Sequence, residues 1–488
     1  MKRHLAALRV LLLFLSLAVL TQNPTLAQQR VPTIEPSTCP FSIDSSFQTR
    51  CGYLLVPENR TSPHSRTIKL PFIIVYSKNP EKRKDPLLYT TGGRGGSSLG
   101  WLHSPGRHSV ILDRDCIAFE QRGTYYAIPR LEGPELSDAI KEAYRKNLNK
   151  DSMMLVGVRK FKKALQSKGI DLSGYNTDET VADIDDLLIA LHIDSVNLLG
   201  VSYSGGLMLD VLRKDPARIR SLILDSPLPN FIPIDEDEPA NFNEALRIVC
   251  IRCERDSADQ TRYANLYSRF RQYFSSLQDK VFAIPYVEKG TTDTLHVQYT
   301  RNELLDAIEN QLFNIHGIKD IPYMITEMIA GRHEPYIRPT LDYIFSRDTI
   351  GPSAMRLSVY CADQTAYHDE RILHQMYDLY PFMRGYHIND VYREICDCWQ
   401  VPPIARTTKQ PYYSDKPALL GDGELDPACR PLYIDRIHHY LPNSQRLVFP
   451  NRSHVVFFND EMDAVLRAFL NDPRQKVSPP PDAVLVEN

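Results

Sequence analysis

One stretch constrains this chain more than any other: Val196-Asn-Leu-Leu-Gly-Val-Ser-Tyr-Ser-Gly-Gly206. Val196 to Leu199 is a short apolar run with the length of a buried strand. Gly200 breaks it, small residues follow Ser202, and Leu207 to Arg213 has helical spacing. A strand, a sharp turn and a helix in that order hold a serine in a strained backbone conformation with its oxygen exposed. The residues two before and two after the serine must be small, because strand and helix nearly touch there. Gly200 meets this requirement, and Ser204 meets it with a hydroxymethyl group. Ser202 follows the strand directly and is the expected nucleophile. Ser204, flanked by Ser202 and Gly206, is the rival register.

Strands and helices alternate around this turn. Cys51–Glu58 and Thr67–Tyr76 read as antiparallel first strands. Pro86–Thr91, Asp115–Glu120, Val196–Leu199 and Ser221–Asp225 read as later ones, with helical patterns over Glu135 to about Lys168 and over Asp178–His192. That order predicts a mainly parallel α/β sheet covered by helices. The alternation stops across residues 230–414, where helical periodicity dominates, as in Glu303–Phe313 and Ile321–Met328. It resumes at Lys416–Asp426 and Gln445–Phe449, and a last helix follows over Glu461–Leu470. Residues 28–229 and 415–472 are therefore expected to form one sheet domain, with 230–414 inserted as a helical cap. The Pro-rich residues 473–488 are expected to be a flexible tail.

A serine nucleophile needs a base and a group that orients the base. On a sheet of this kind both come from later strand ends, the acid before the histidine. Asp426 follows one apolar strand and His454 follows the last. Asp426 would fix the imidazole tautomer, and His454 would take the proton of Ser202 and pass it to the leaving group. Asp422 is the rival acid. An oxyanion hole needs backbone N–H groups aimed at the developing charge. Tyr203 offers one, and Gly93 in the loop Gly92–Gly96 offers the second. That loop fits neither a Walker A motif nor a dinucleotide fingerprint.

These segments resemble the α/β-hydrolase exopeptidases that include prolyl iminopeptidases and secreted tripeptidyl aminopeptidases. Gly92-Gly-Arg-Gly-Gly-Ser97 resembles that family's Gly-Gly-Pro-Gly-Gly-Ser loop, and Glu120-Gln-Arg-Gly-Thr124 its Asp-Gln-Arg-Gly-Thr. Gly200–Tyr203, Leu425–Pro427 and Ser453–His454 match its nucleophile, acid and base segments. The likeness covers roughly residues 35–229 and 415–470. It implies the α/β-hydrolase fold with an inserted cap that closes the cleft, short peptide substrates with a free N-terminus, and no cofactor or metal. Arg94 in place of Pro, Ser204 in place of Gly, and Tyr125-Tyr126 in place of small residues are departures that bear on substrate class. A substrate ammonium would need a carboxylate partner. Asp235, Glu236, Asp237 and Glu238 at the entry to the cap are candidates, with Asp363 and Glu120 as alternatives. An esterase or other acyl hydrolase on the same fold is the alternative activity, since fold does not fix function.

Lys2, Arg3 and Arg9 precede an apolar run from Val10 to Leu20, and Thr25-Leu-Ala27 offers a small-residue cleavage site. Residues 1–27 therefore read as a signal peptide of an exported protein, too short in its apolar run to span a membrane comfortably. No later stretch is apolar enough for a span, so no membrane association is expected after signal removal. A net charge of -3 gives no hint of a nucleic-acid partner. Nine cysteines fit an oxidising compartment. Cys39 and Cys51 are expected to pair. Cys250, Cys253, Cys361, Cys396 and Cys398 allow either a zinc site or cap-stapling disulfides, and export favours disulfides.

Overall fold

The computed structural model describes residues 32–93, 95–256, 258–346 and 353–486. The expected signal peptide and Arg94 lie outside the described residues. The strands are β1 (Thr33–Pro36), β2 (Thr49–Pro57), β3 (Thr67–Val75), β4 (Arg83–Thr90), β5 (Arg114–Phe119), β6 (Val196–Val201), β7 (Ile219–Asp225), β8 (Phe282–Val287), β9 (Thr294–Tyr299), β10 (Ala418–Gly423), β11 (Ser444–Phe449) and β12 (Val484–Val486).

Ten of them form one sheet in the order β1-β2-β3-β5-β4-β6-β7-β10-β11-β12. β1, β2, β3 and β5 pair antiparallel; for β2 and β3 this was expected. From β5 across β4, β6, β7 and β10 to β11 every pairing is parallel. The central strands are apolar on both faces because helices cover both faces. All six residues of β6 are buried. One face packs on Ile184 and Leu187 of helix Thr177–Ala190, Leu207 and Val211 of helix Tyr203–Lys214, and Ile434 and Ile437 of helix Pro431–Tyr440. The other packs on Leu99, Leu102 and, from helix Asp460–Asn471, Leu466 and Phe469.

Between β7 and β10 the chain builds a second core from Phe242, Phe270, Phe274, Leu304, Ile308, Ile325 and Phe382. Among its described residues this region is helical apart from loops and the hairpin β8–β9, which the helical expectation missed. Ile284 and Tyr286 alternate with exposed neighbours there, a period of two that is short enough to be lost among longer helical patterns. Three other expectations are corrected or sharpened. The long helical region beginning at Glu135 is two helices, Glu135–Lys146 and Lys150–Ser167. Asn147 ends the first in a left-handed conformation, and the side chain of Asn149 caps the second by accepting from Ser152 N–H. The segment after Asp472, expected as a flexible tail, instead ends in β12, which pairs antiparallel with β11 and covers a sheet edge. Cys39 pairs with Cys51 and Cys361 with Cys396. The second link removes two of the five central cysteines from any zinc set. No described helix is long and apolar enough to cross a membrane.

Candidate active site

Ser202 sits between β6 and helix Tyr203–Lys214 with φ 53° and ψ -123°. A non-glycine residue persists in that region only when its surroundings over-determine it. Ser202 N–H donates to the Asp225 carbonyl at 2.9 Å, and its own carbonyl accepts from Gly205 N–H and Leu228 N–H at 2.9 Å each. The close approach demanded by the turn is measurable. A Cβ on Gly200 would lie 2.5 Å from the Ser204 carbonyl oxygen, and one on Gly92 would lie 2.7 Å from Cβ of Ser202. The rival Ser204 is fully buried. Its hydroxyl accepts from Val201 N–H and donates to the Thr90 carbonyl, both at 2.7 Å. It braces the turn, whereas Ser202 faces a cavity.

His454 Nδ1 lies 2.6 Å from Asp426 Oδ2. The other oxygen, Oδ1, accepts from Ala428 N–H and Cys429 N–H at 2.8 Å each. The loop that presents the imidazole is clamped from β7. Asp225 accepts from Val456 N–H at 2.8 Å and Phe457 N–H at 2.9 Å, and Ser226 Oγ accepts from Val455 N–H at 3.0 Å. Ser226 and the β-branched Val455 both have positive φ, 46° and 67°. Burial pushes the Asp225 carboxyl up to about 6 against the pull of those two amides. Burial also disfavours a charged His454, but the charge and hydrogen bond of Asp426, with Asp225 behind, outweigh it and raise the imidazole above its ordinary value. Phe313, from the cap, meets the imidazole edge to face at 5.6 Å between centroids.

Ser202, His454, Gly93 and Tyr203 line one cavity of ≈ 450 Å³. The cap contributes Glu238, Glu309, Phe313, Arg356 and Asn389 to its wall. Asn389 Nδ2 donates to Glu238 Oε1 at 3.3 Å, and Tyr386 O–H donates to Glu309 Oε2 at 2.9 Å. Burial, followed by the negative charge of Asp306, pushes Glu309 up to about 8. Burial together with Asp235 and Glu309 holds Glu238 well above the usual carboxylate range. Arg356 is engaged by Asp390 at 2.5 Å and by Asn389 at 2.7 Å. Sequence reasoning missed Glu309, Arg356, Phe313 and the clamp of Asp225 and Ser226. Asp225 could have been suspected from its place at the end of an expected strand. Nothing local distinguishes Glu309 from the other acids of its helix.

Of the six expected ammonium partners, only Glu238 lines this cavity. Asp235 accepts from Tyr360 O–H and lies 2.5 Å from His368 Nδ1. Glu236 accepts from Asp369 N–H at 2.7 Å, and Asp237 from Tyr433 O–H at 3.0 Å. Asp363 is buried against the Thr177 hydroxyl, which also meets Tyr203 O–H at 2.8 Å. Helical periodicity explains this division, since four consecutive residues of one helix cannot share a face.

Glu120 is fully buried. It accepts from Ser98 N–H at 2.9 Å, Leu99 N–H at 3.2 Å and the hydroxyls of Ser97 and Thr124 at 3.0 and 2.9 Å. It anchors the loop that carries Gly93, where φ is 59°. Arg122, two residues on, is equally buried. It donates to both oxygens of Asp183 at 2.7 Å and to the Glu58 carbonyl at 2.6 Å. The Glu-Gln-Arg-Gly-Thr segment is thus a brace for the site and contributes nothing to the cavity wall.

A family model described as alpha/beta hydrolase fold matches residues 86–461. A tripeptidyl aminopeptidase of Streptomyces lividans is 25% identical over 196 residues, covering 36% of this chain and 35% of that protein. A tripeptidyl aminopeptidase of Streptomyces coelicolor matches at the same identity and coverage. The matched region is thus about a third of the length of these relatives. Among solved structures, a proline iminopeptidase-related protein from Thermus thermophilus superposes with a TM-score of 0.38 at 14% identity, over 87% of this chain and 98% of that one. A proline iminopeptidase from Mycobacterium smegmatis gives 0.37 at 14% identity, over 86% and 98%. Superpositions this loose carry no argument about the site.

Proposed function

This chain belongs to the α/β-hydrolase family, and we propose that within it the chain is an exported serine aminopeptidase, cleaving short peptides from their free N-terminus. One observation carries the reading: Ser202 and His454 share a single cavity with two cap carboxyls, Glu238 and Glu309. The Ser202 hydroxyl attacks the scissile carbonyl while His454 takes its proton and Asp426 steadies the imidazolium. The N–H groups of Gly93 and Tyr203 receive the oxyanion. His454 then gives the proton to the leaving amine, and an acyl-enzyme remains on Ser202. Water, activated by the same histidine, releases the N-terminal fragment and restores the hydroxyl.

Glu238 and Glu309 give this chemistry its exopeptidase character. A buried ammonium without a carboxylate is costly. Arg356 lines the same cavity and pulls on both glutamates, but burial outweighs it and both stay raised. A peptide's N-terminus would bring a further cation to them. A cavity of ≈ 450 Å³ accepts a few residues and excludes a folded chain. The two disulfides fit an oxidising compartment, and with residues 1–27 they support export. The test is a matched panel of free peptides, N-acetylated peptides and uncharged esters. Cleavage of the free peptides alone is expected. Equal rates on free and acetylated peptides would replace the aminopeptidase by a general acyl hydrolase.

A further inference from the structure

Two carboxyl groups stand at the end of β10, and the chemistry above uses one of them. Asp426 accepts three N–H donors. Asp422, four residues earlier, is fully buried, and neither of its oxygens has a hydrogen-bond partner of good geometry among the described residues; the Gly423 amide is the near donor. The groups that face Asp422 are the Asp426 carboxyl within hydrogen-bonding reach, Asp225 on β7, and the Gly423 amide. None of these three is a cation. Two ionised carboxylates in contact have no proton between them and repel. One proton turns the same contact into a hydrogen bond.

We propose that Asp422 is a positioning residue that stays a neutral carboxylic acid and donates its proton to the carboxylate of Asp426. The inference rests on the role given above to Asp426 and His454. Asp426 is then held from three sides: by the backbone amides of Ala428 and Cys429, by the imidazole N–H, and by the Asp422 hydroxyl. Burial, followed by the charge of Asp426, pushes the Asp422 carboxyl well above its usual range, in keeping with this state. The donated proton also draws charge from Asp426. It therefore moderates the pull of Asp426 on the imidazolium without weakening its hold on the ring's orientation.

The test is the titration of the His454 imidazole by NMR in the full chain, in Asp422→Asn and Asp422→Leu variants. The Asn amide can make the same donation, so Asp422→Asn should move the His454 midpoint by less than about 0.3 pH unit. Leu cannot donate, and its midpoint should rise by about 0.5 to 1 unit as Asp426 regains its full charge. A fall of a unit or more in Asp422→Asn would show that the native Asp422 is ionised and would overturn the proposal, as would an unmoved midpoint in a folded Asp422→Leu. Should the Leu variant not fold, the infrared difference spectrum between native and Asp422→Asn protein at neutral pH decides. A protonated-carboxyl stretch carried by the native chain is expected, and its absence refutes the assignment. Neither readout uses a substrate. A chain that cleaved no peptide yet showed Asp422 neutral would lose the proposed function and keep this inference.

Discussion

Below His454, Asp426 takes three N–H donors and Asp225 takes two from the backbone of the histidine loop. Across the cavity in the cap, Glu238 takes one side-chain amide at 3.3 Å and Glu309 one phenol at 2.9 Å. Asp225 and Asp426 are fully buried while the two cap acids are half-buried at the cavity wall, and the two sets are partnered differently. Backbone amides are fixed dipoles, and several aimed at one carboxylate favour its charged form. Asn389 and Tyr386 supply less, and both cap acids shift well upward, whereas Asp225 with its two amides rises only to about 6. The sheet side is the more fully hydrogen-bonded of the two. In the cap the charge of Arg356 acts on both acids without offsetting their burial.

The largest expected effect lies on the sheet side. Ser202→Ala should lower turnover by about 10⁴- to 10⁶-fold, and a fluorophosphonate probe should label Ser202 in the native chain. Label on Ser204 would break the assignment of the sheet side.

The next effect tests whether the cap side awaits an ammonium. Glu238→Gln and Glu309→Gln should each cut kcat/KM on free peptides by about 10²- to 10³-fold and leave an uncharged ester almost untouched. Equal losses on both substrates would mean that the cap acids serve structure alone.

A smaller effect follows from protonation. With Glu309 pushed up to about 8, the empty cavity holds a neutral acid at lower pH. Binding an ammonium then requires loss of a proton, so affinity rises with pH. The expected gain for free peptides is up to about tenfold per unit below pH 8, reversing once the peptide amine, with a pKa of about 8, loses its own proton. An ester should show only the His454 limb, and Glu309→Gln should remove the extra slope from the peptide profile. A peptide profile identical to that of the ester would erase the contrast between the two sides.

The smallest effect concerns the contact that joins them. Phe313 presents its ring to the imidazole of His454 across the cavity. Phe313→Ala should cost about two- to tenfold in kcat/KM, the scale of one aromatic contact. A larger loss would show that the cap positions the histidine itself.

Legibility in the sequence divides along the same line. The order of strands, the turn at Ser202, and the positions of Asp426 and His454 were readable because each sits at the end of an apolar strand, where local pattern and chemistry coincide. Gly92, Gly200 and Gly421 to Gly423 mark the close approaches that shape this half. Glu120 and Arg122 were readable as a motif, but their role was not. Only their buried partners show that they brace the loop below the site. In the cap, Asp235 to Glu238 was singled out as an acidic run, and the helix turned three of the four away from the cavity. Glu309, which joins Glu238 there, comes from a helix far along the chain.

The sequence by itself determined the sheet, its parallel core and the serine, acid and histidine at its strand ends. Those features follow from hydrophobic period and from turn chemistry, which act over a few neighbouring residues. Tertiary structure alone decided that Glu238 and Glu309 meet over Ser202, that Asp225 clamps the histidine loop, and that Asp422 is buried beside Asp426. These depend on which side chains distant segments bring within a few ångströms, and on how much water their packing excludes. Both are properties of the packed whole, and no local period encodes them.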